Sequence, residues 1–288
     1  MEWVERKAYA KVNLGLDVLR KRPDGYHDVR MIMQTVDIYD ELWLGKRKEQ
    51  GILLQAEDAD VPEDEVNLAY QAARLMREQF SITQGVEIKL KKNIPIAAGM
   101  AGGSSDAAAV LQGMNQLFEL GLQDEELCRL GVQLGADVPY CIKGKTALSE
   151  GIGEILTPVA PPPECVVVIA KPACSVSTKY VYENLKLDEG VVHPDIDGLM
   201  EAMAGGDLRG MTAKMGNILE SVTVRKYPVI GEIKDFLRGK GAWGALMSGS
   251  GPTVFAVFAK GEQERAAAAA RELGEAGLAK DIYVTAFI

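Results

Sequence analysis

The stretch Pro95-Ile96-Ala97-Ala98-Gly99-Met100-Ala101-Gly102-Gly103-Ser104-Ser105 gathers small residues and hydroxyls into one loop. Small residues let a backbone approach a ligand closely and turn its N–H groups inward, and such a concavity binds phosphate. The segment that follows, Ala107 to Leu120, has the Ala, Leu and Met content of a helix. Its N-terminal dipole and unpaired donors would strengthen the same site. Ser104, Ser105 or Asp106 could cap that helix, and the two hydroxyls could instead meet phosphate or Mg²⁺. The same glycines also suit a plain tight turn between strand and helix.

Other phosphate-binding patterns fail. Gly144-Lys145-Thr146 has the ending of a P-loop, but the earlier glycine that the pattern needs is Pro139. No G-x-G-x-x-G follows the first strand, so a dinucleotide site of the Rossmann type is disfavoured. Two charged residues stand in apolar or small-residue contexts, Lys11 in Ala10-Lys11-Val12-Asn13-Leu14 and Asp137 in Gly135-Ala136-Asp137-Val138-Pro139. Alone, Lys11 reads as a solvated lysine at a strand end and Asp137 as a helix or turn cap. Tyr26 and His27 follow a Pro-Asp-Gly turn, where an aromatic packing on the domain and a histidine facing water would be ordinary.

The elements that must position these residues follow from periodicity. Residues 3–19 and 29–44 are rich in Val, Ile, Leu and Tyr and read as paired strands around Lys21-Arg22-Pro23-Asp24-Gly25-Tyr26-His27. Leu68, Ala72, Leu75, Met76 and Phe80 mark an amphipathic helix over 66–80, and Val86, Ile88 and Leu90 alternate with Glu87, Lys89 and Lys91 as a half-buried strand. A further helix covers Asp124 to Leu134 and is broken by residues 135–140. The four prolines between Pro158 and Pro163 mark the domain boundary, giving domains over residues 1–160 and 161–288. Beyond it come a buried strand at 166–170, helices near 195–204, 207–219 and 228–239, a strand pair within 242–259, a helix near 261–276 and a strand over 283–288. Mixed runs without strict βαβ alternation imply α+β.

Composition narrows the function. A net charge of −9 disfavours nucleic acid and anionic membranes as partners. Cys128, Cys141, Cys165 and Cys174 form no C-x-x-C pair and read as reduced, buried thiols, while the two histidines rule out a His-rich zinc site. The N-terminal Met1-Glu2-Trp3-Val4-Glu5-Arg6 is neither signal nor transit peptide, and no apolar run approaches a membrane span, so a cytoplasmic location is expected. No long amphipathic seam is evident, which suggests a monomer or weak homodimer.

The loop Pro95 to Ser105 resembles the ATP-binding motif of the GHMP superfamily of galactokinases, homoserine kinases, mevalonate kinases and phosphomevalonate kinases. Ala8 to Leu14, Gly135 to Pro139 and Met247-Ser248-Gly249-Ser250-Gly251-Pro252-Thr253 match its other segments in order and spacing. The Arg22 to His27 turn and the Asp137 motif are most similar to the diphosphocytidyl-methylerythritol kinase branch. The resemblance implies a ribosomal protein S5 domain 2-like N-terminal half and a ferredoxin-like C-terminal half, with ATP and substrate meeting between them. It also implies that residues 95–105 bind the ATP phosphates with Mg²⁺ present, that Asp137 accepts the substrate hydroxyl proton, and that Lys11 stabilises the charged oxygen. An Asp beside a Lys stays ionised and can take a proton as the new bond forms. For the small-molecule substrate, diphosphocytidyl-methylerythritol, it implies contacts from Asn13, His27 and Thr178 and a cytosine held between Tyr26 and Tyr182, with Tyr180 as an alternative to Tyr182. Ala97, Ala98 and Ala101 stand where relatives can carry glycine, which would stiffen the loop while keeping its N–H donors.

Overall fold

Long runs of β-branched and aromatic residues begin the chain, and in the computed structural model they form two long strands, β1 (Trp3–Lys21) and β2 (His27–Arg47). The structure describes residues 3–58, 60–188 and 191–288. The turn between the strands is closed by Asp24, whose carboxylate accepts the Tyr26 N–H at 3.1 Å, and by Gly25 at a φ of 89°. The chain divides into two compact units, and both strands contribute to each. The first unit comprises residues 1–10, 38–96 and 101–144, and the second 11–37, 97–100 and 145–288.

In the first unit, β3 (Ile52–Ala56) lies parallel to β4 (Gly85–Lys91), which pairs antiparallel with β2 from Glu41↔Lys91 to Arg47↔Gly85. The alternation read from Val86, Ile88 and Leu90 places all three in the core, with helices α1 (Leu68–Gln79) and α2 (Gly102–Leu117) packed on that face. Asn67 caps α1 by accepting the Ala69 N–H. Gly113 lets α2 pass close over β2, since a Cβ there would stand 2.7 Å from Leu44 Cδ1 and push that side chain aside. Two short helices complete the unit, α3 (Asp124–Gly131) and α4 (Val138–Lys143). The helix expected over 124–134 therefore ends at Gly131, and the break before α4 covers residues 132–137 rather than 135–140. Pro139 lies in the first turn of α4, where its missing N–H would have no helical partner in any case.

In the second unit, β5 (Thr146–Glu150) pairs antiparallel with the first part of β2, and β6 (Ile155–Pro158) pairs with β5. A separate antiparallel sheet is built from β7 (Cys165–Lys171), β9 (Gly244–Met247), β10 (Val254–Ala259) and β11 (Asp281–Thr285). Between β7 and β9 run α5 (Thr178–Asn184), α6 (Ile196–Ala204), α7 (Leu208–Lys214), the two-residue strand β8 (Gly216–Asn217), α8 (Glu220–Lys226) and α9 (Val229–Gly239); α10 (Gln263–Glu275) joins β10 to β11. The order β11-β7-β10-β9, with helices crossing between β7 and β9 and between β10 and β11, is the split-βαβ arrangement of ferredoxin-like sheets. The helix expected over 207–219 stops at Lys214. Met215 leaves helical geometry at a ψ of 127°, and the freed residues Gly216 and Asn217 pair in parallel with Gly15 and Leu16 of β1. None of the helices among the described residues is long and apolar enough to cross a membrane.

Candidate active site

The loop after β4 turns by placing Ala97, Gly99 and Ala101 at φ values of 52°, 73° and 59°. Alternating left-handed residues aim successive N–H groups to one side, the geometry of an anion-binding concavity. Ala97 and Ala101 carry a Cβ in that region, at a cost of about 1–2 kcal/mol each, so the alanines strain the loop as well as stiffen it. Gly99 has no substitute, since a Cβ there would stand 2.5 Å from the Ser248 carbonyl. Ala98 and Met100 are buried and anchor the loop, Pro95 is half-buried, and Ile96, Ala97 and Gly103 are exposed.

Helix α2 starts from Ala101, and no side chain among the described residues caps it. The three candidate caps are employed differently from expectation. Ser105 Oγ donates to the Tyr9 carbonyl at 2.7 Å, Asp106 turns inward to Lys92, and Ser104 stays on the half-buried first turn. Gly102 and Gly103 bring no side chain of their own to that turn. A helix start of this kind presents backbone donors and a positive dipole to an anion.

Asp137 belongs to the same unit. It occupies the N-cap position of α4 at φ −82° and ψ −14°, yet its side chain does not cap the helix, contrary to the simplest reading of its position. The preceding Gly135 brings this segment against the first turn of α2, with the Ser104 Oγ 3.8 Å from where a Cβ on Gly135 would lie.

The second unit holds the other pieces. Lys11 is mid-strand and 4% exposed, the opposite of a solvated strand end, and Asn13 beside it is 0% exposed. Lys11 Nζ donates to Asn13 Oδ1 at 2.8 Å, and the Lys11 N–H donates to the Met100 carbonyl at 3.1 Å. A lysine so deeply buried keeps its charge only among polar partners. The loop between β9 and β10 closes on the same place: Ser248 Oγ donates to the Gly99 carbonyl at 2.9 Å, and a Cβ on Gly249 would lie 3.6 Å from Asn13 Oδ1. Two residues that sequence reasoning missed fix this loop. Asn217 Nδ2 donates to the carbonyls of Met247 and Gly249 at 2.8 and 2.7 Å, and Thr223 Oγ1 donates to the Ser250 carbonyl. Asn217 carried no signal, because it fell inside an apparent helix.

Tyr26 is 60% exposed at the tip of its turn. His27 next to it lies against Tyr182, with ring centroids 5.0 Å apart and planes 41° apart, whereas Tyr180 faces Lys226, whose Nζ is 3.3 Å from its centroid. Burial, reinforced by Lys21, holds the His27 imidazole below its ordinary range and favours the neutral ring, which can both donate and accept. Thr178 starts α5 and shares a hydrogen bond of 2.8 Å with Ser250 Oγ.

Comparison with known proteins matches residues 67–145 to the GHMP kinases N terminal domain and residues 189–276 to the GHMP kinases C terminal domain. The chain is 55% identical over 258 residues to the 4-diphosphocytidyl-2-C-methyl-D-erythritol kinase of Lachnoclostridium phytofermentans, covering 90% of this chain and 89% of that protein. It is 49% identical over 285 residues to the enzyme of the same name from Lachnospira eligens, covering 99% and 98%. Among solved structures, a 4-(cytidine 5'-diphospho)-2C-methyl-D-erythritol kinase superposes with a TM-score of 0.84 at 34% identity over 99% of both chains. A homoserine kinase from Cytophaga hutchinsonii, at 22% identity and a TM-score of 0.80, shares the fold.

Proposed function

Because the chain belongs to the GHMP kinases, and within them to the 4-diphosphocytidyl-2-C-methyl-D-erythritol kinases, we propose that Asp137 and Lys11 divide the chemistry of a phosphoryl transfer. The reaction is ATP-dependent phosphorylation of the 2-hydroxyl of 4-diphosphocytidyl-2-C-methyl-D-erythritol, giving the 2-phosphate and ADP on the non-mevalonate route to isoprenoid precursors. What carries this conclusion is the likeness to these kinases along almost the entire chain.

Phosphoryl transfer asks the protein chiefly to position the hydroxyl and offset charge. Asp137 takes the hydroxyl proton as the oxygen bonds to the γ-phosphorus, and the Lys11 ammonium, held by Asn13, offsets charge on that oxygen. The uncapped first turn of α2 and the left-handed loop before it fit the phosphates of ATP. Mg²⁺, when bound, neutralises phosphate charge. It would be held mainly by phosphate oxygens and water, with few protein ligands. Tyr26 and Tyr182 stack on the cytosine, while neutral His27 reads its polar edge and Asn13 and Thr178 contact the rest of the substrate.

The test is ADP release from Mg-ATP by the purified protein, with the cytidyl substrate and with mevalonate and homoserine for comparison. Release only with the cytidyl substrate is expected. Release with another alcohol would keep the kinase and discard the cytosine pocket.

A further inference from the structure

Three charged side chains with no part in the chemistry above lie buried together in the first unit. Lys92, just past the end of β4, has an 8% exposed side chain and donates to two carboxylates, Asp40 Oδ2 and, at 2.6 Å, Asp106 Oδ2. Asp40 on β2 is 0% exposed and Asp106 on α2 is 3% exposed. Asp40 also accepts the N–H groups of Asn93 and Ile94 at 2.6 and 2.8 Å with its other oxygen, which ties down the chain leaving β4. The lysine ammonium lies under the first turn of α2, 3.4 Å from where a Cβ on Gly102 would stand.

The charges do not balance if every group is ionised. One ammonium faces two carboxylates, and among the described residues no donor reaches Asp106 Oδ1. A bare anionic oxygen in a dry interior is among the costliest arrangements a protein can hold. A proton on Asp106 removes that cost. We propose that Asp40, Lys92 and Asp106 form an electrically neutral positioning cluster for the phosphate-binding turn, in which Asp40 is ionised, Asp106 carries a proton, and Lys92 bridges them beneath Gly102. The inference rests on the assignment of that turn to the ATP phosphates. An extra negative charge directly under it would oppose the nucleotide and quench the helix dipole, whereas a neutral cluster fixes the turn without either effect. Burial is the largest influence on the Asp106 carboxyl and pushes it well above the ordinary carboxylate range; Lys92 opposes this and Asp40 adds to it. Those two, from the end of β4 and from β2, are the charged groups that act on it most strongly among the described residues. Burial alone would lower the Lys92 ammonium, but Asp106 and Asp40 together outweigh it and raise it.

The two carboxyl groups should therefore respond differently to the same isosteric change. Asp106→Asn copies the shape and neutrality of the protonated acid and is expected to leave KM for ATP within about twofold of the parent, well below the loss of a single charged hydrogen bond. Asp40→Asn removes the needed anion and is expected to raise KM for ATP roughly tenfold or more, with KM for the cytidyl substrate unchanged. Infrared spectra without nucleotide read the proton directly: the parent should show a buried carboxylic-acid C=O band at neutral pH that Asp106→Asn lacks. Absence of that band, or a rise in KM for ATP in Asp106→Asn matching that in Asp40→Asn, overturns the proposal. So does a present band with Asp40→Asn leaving KM for ATP unmoved. In that case Gly103→Val separates the causes. If it abolishes ATP binding, the phosphate-binding turn stands and only the cluster's role falls; if it does not, both fall.

Discussion

Tyr180 and Tyr182 stand two places apart on α5, so their side chains leave the helix about 200° apart and cannot serve one pocket. Tyr182 is the one beside His27, and Tyr180 is engaged by Lys226. Tyr182→Ala is accordingly expected to weaken binding of the cytidyl substrate by about 1–3 kcal/mol, the range for a base stacked on an aromatic ring. Tyr180→Ala should leave that affinity near the parent's. Calorimetric titration of both variants decides the matter, and the reverse order would move the cytosine to the Lys226 side. At this scale the sequence showed which residues could act but not what they would touch. Lys11 as an isolated letter looked solvated, and only the buried strand around it, with Asn13 to receive its proton donors, shows why it is there. The left-handed conformations of Ala97 and Ala101 were likewise hidden, since alanine gives no hint of φ > 0.

Among elements, periodicity was a reliable guide wherever burial alternated cleanly. The strand at Val86, Ile88 and Leu90 and the helix at Leu68 to Met76 appear where expected because each has one apolar face and one core to meet. It failed where an element is too short to show a period, as with β8, α4 and α5. The case of β8 matters most, because its two residues carry Asn217 to the loop that closes on Gly99 and Asn13. That side chain satisfies the carbonyls of Met247 and Gly249 with its amide and the Leu219 N–H with its oxygen. Asn217→Ala would leave all three groups unpaired in a buried setting, and a stability loss of about 2 kcal/mol or more is expected. A denaturation midpoint equal to the parent's would show that the loop holds itself without Asn217.

For the molecule as a whole, Asp106 in the cluster under α2 runs against two surface acids that hold ion pairs. Asp197 beside Arg30 and Glu41 beside Lys91 lie below their ordinary range, so the stability they give is present at neutral pH and is lost on acidification. Asp197 is exposed and Glu41 is half-buried at the surface, and salt screens both pairs. Asp106 has the opposite sign and is buried. Its folded-state value lies above its ordinary 3.8, so between those values the native state holds a proton that the unfolded chain has released. Across that window native stability falls as pH rises, by up to ~1.4 kcal/mol per unit for one proton. Asp106→Asn has no proton to lose and should be free of this slope. The stability of the variant relative to the parent, from denaturant melts at a series of pH values, should therefore climb from about pH 4 and level off above the folded-state value. If the difference is flat with pH, Asp106 is ionised in the native protein throughout, and Lys92 must be holding two charged carboxylates at once.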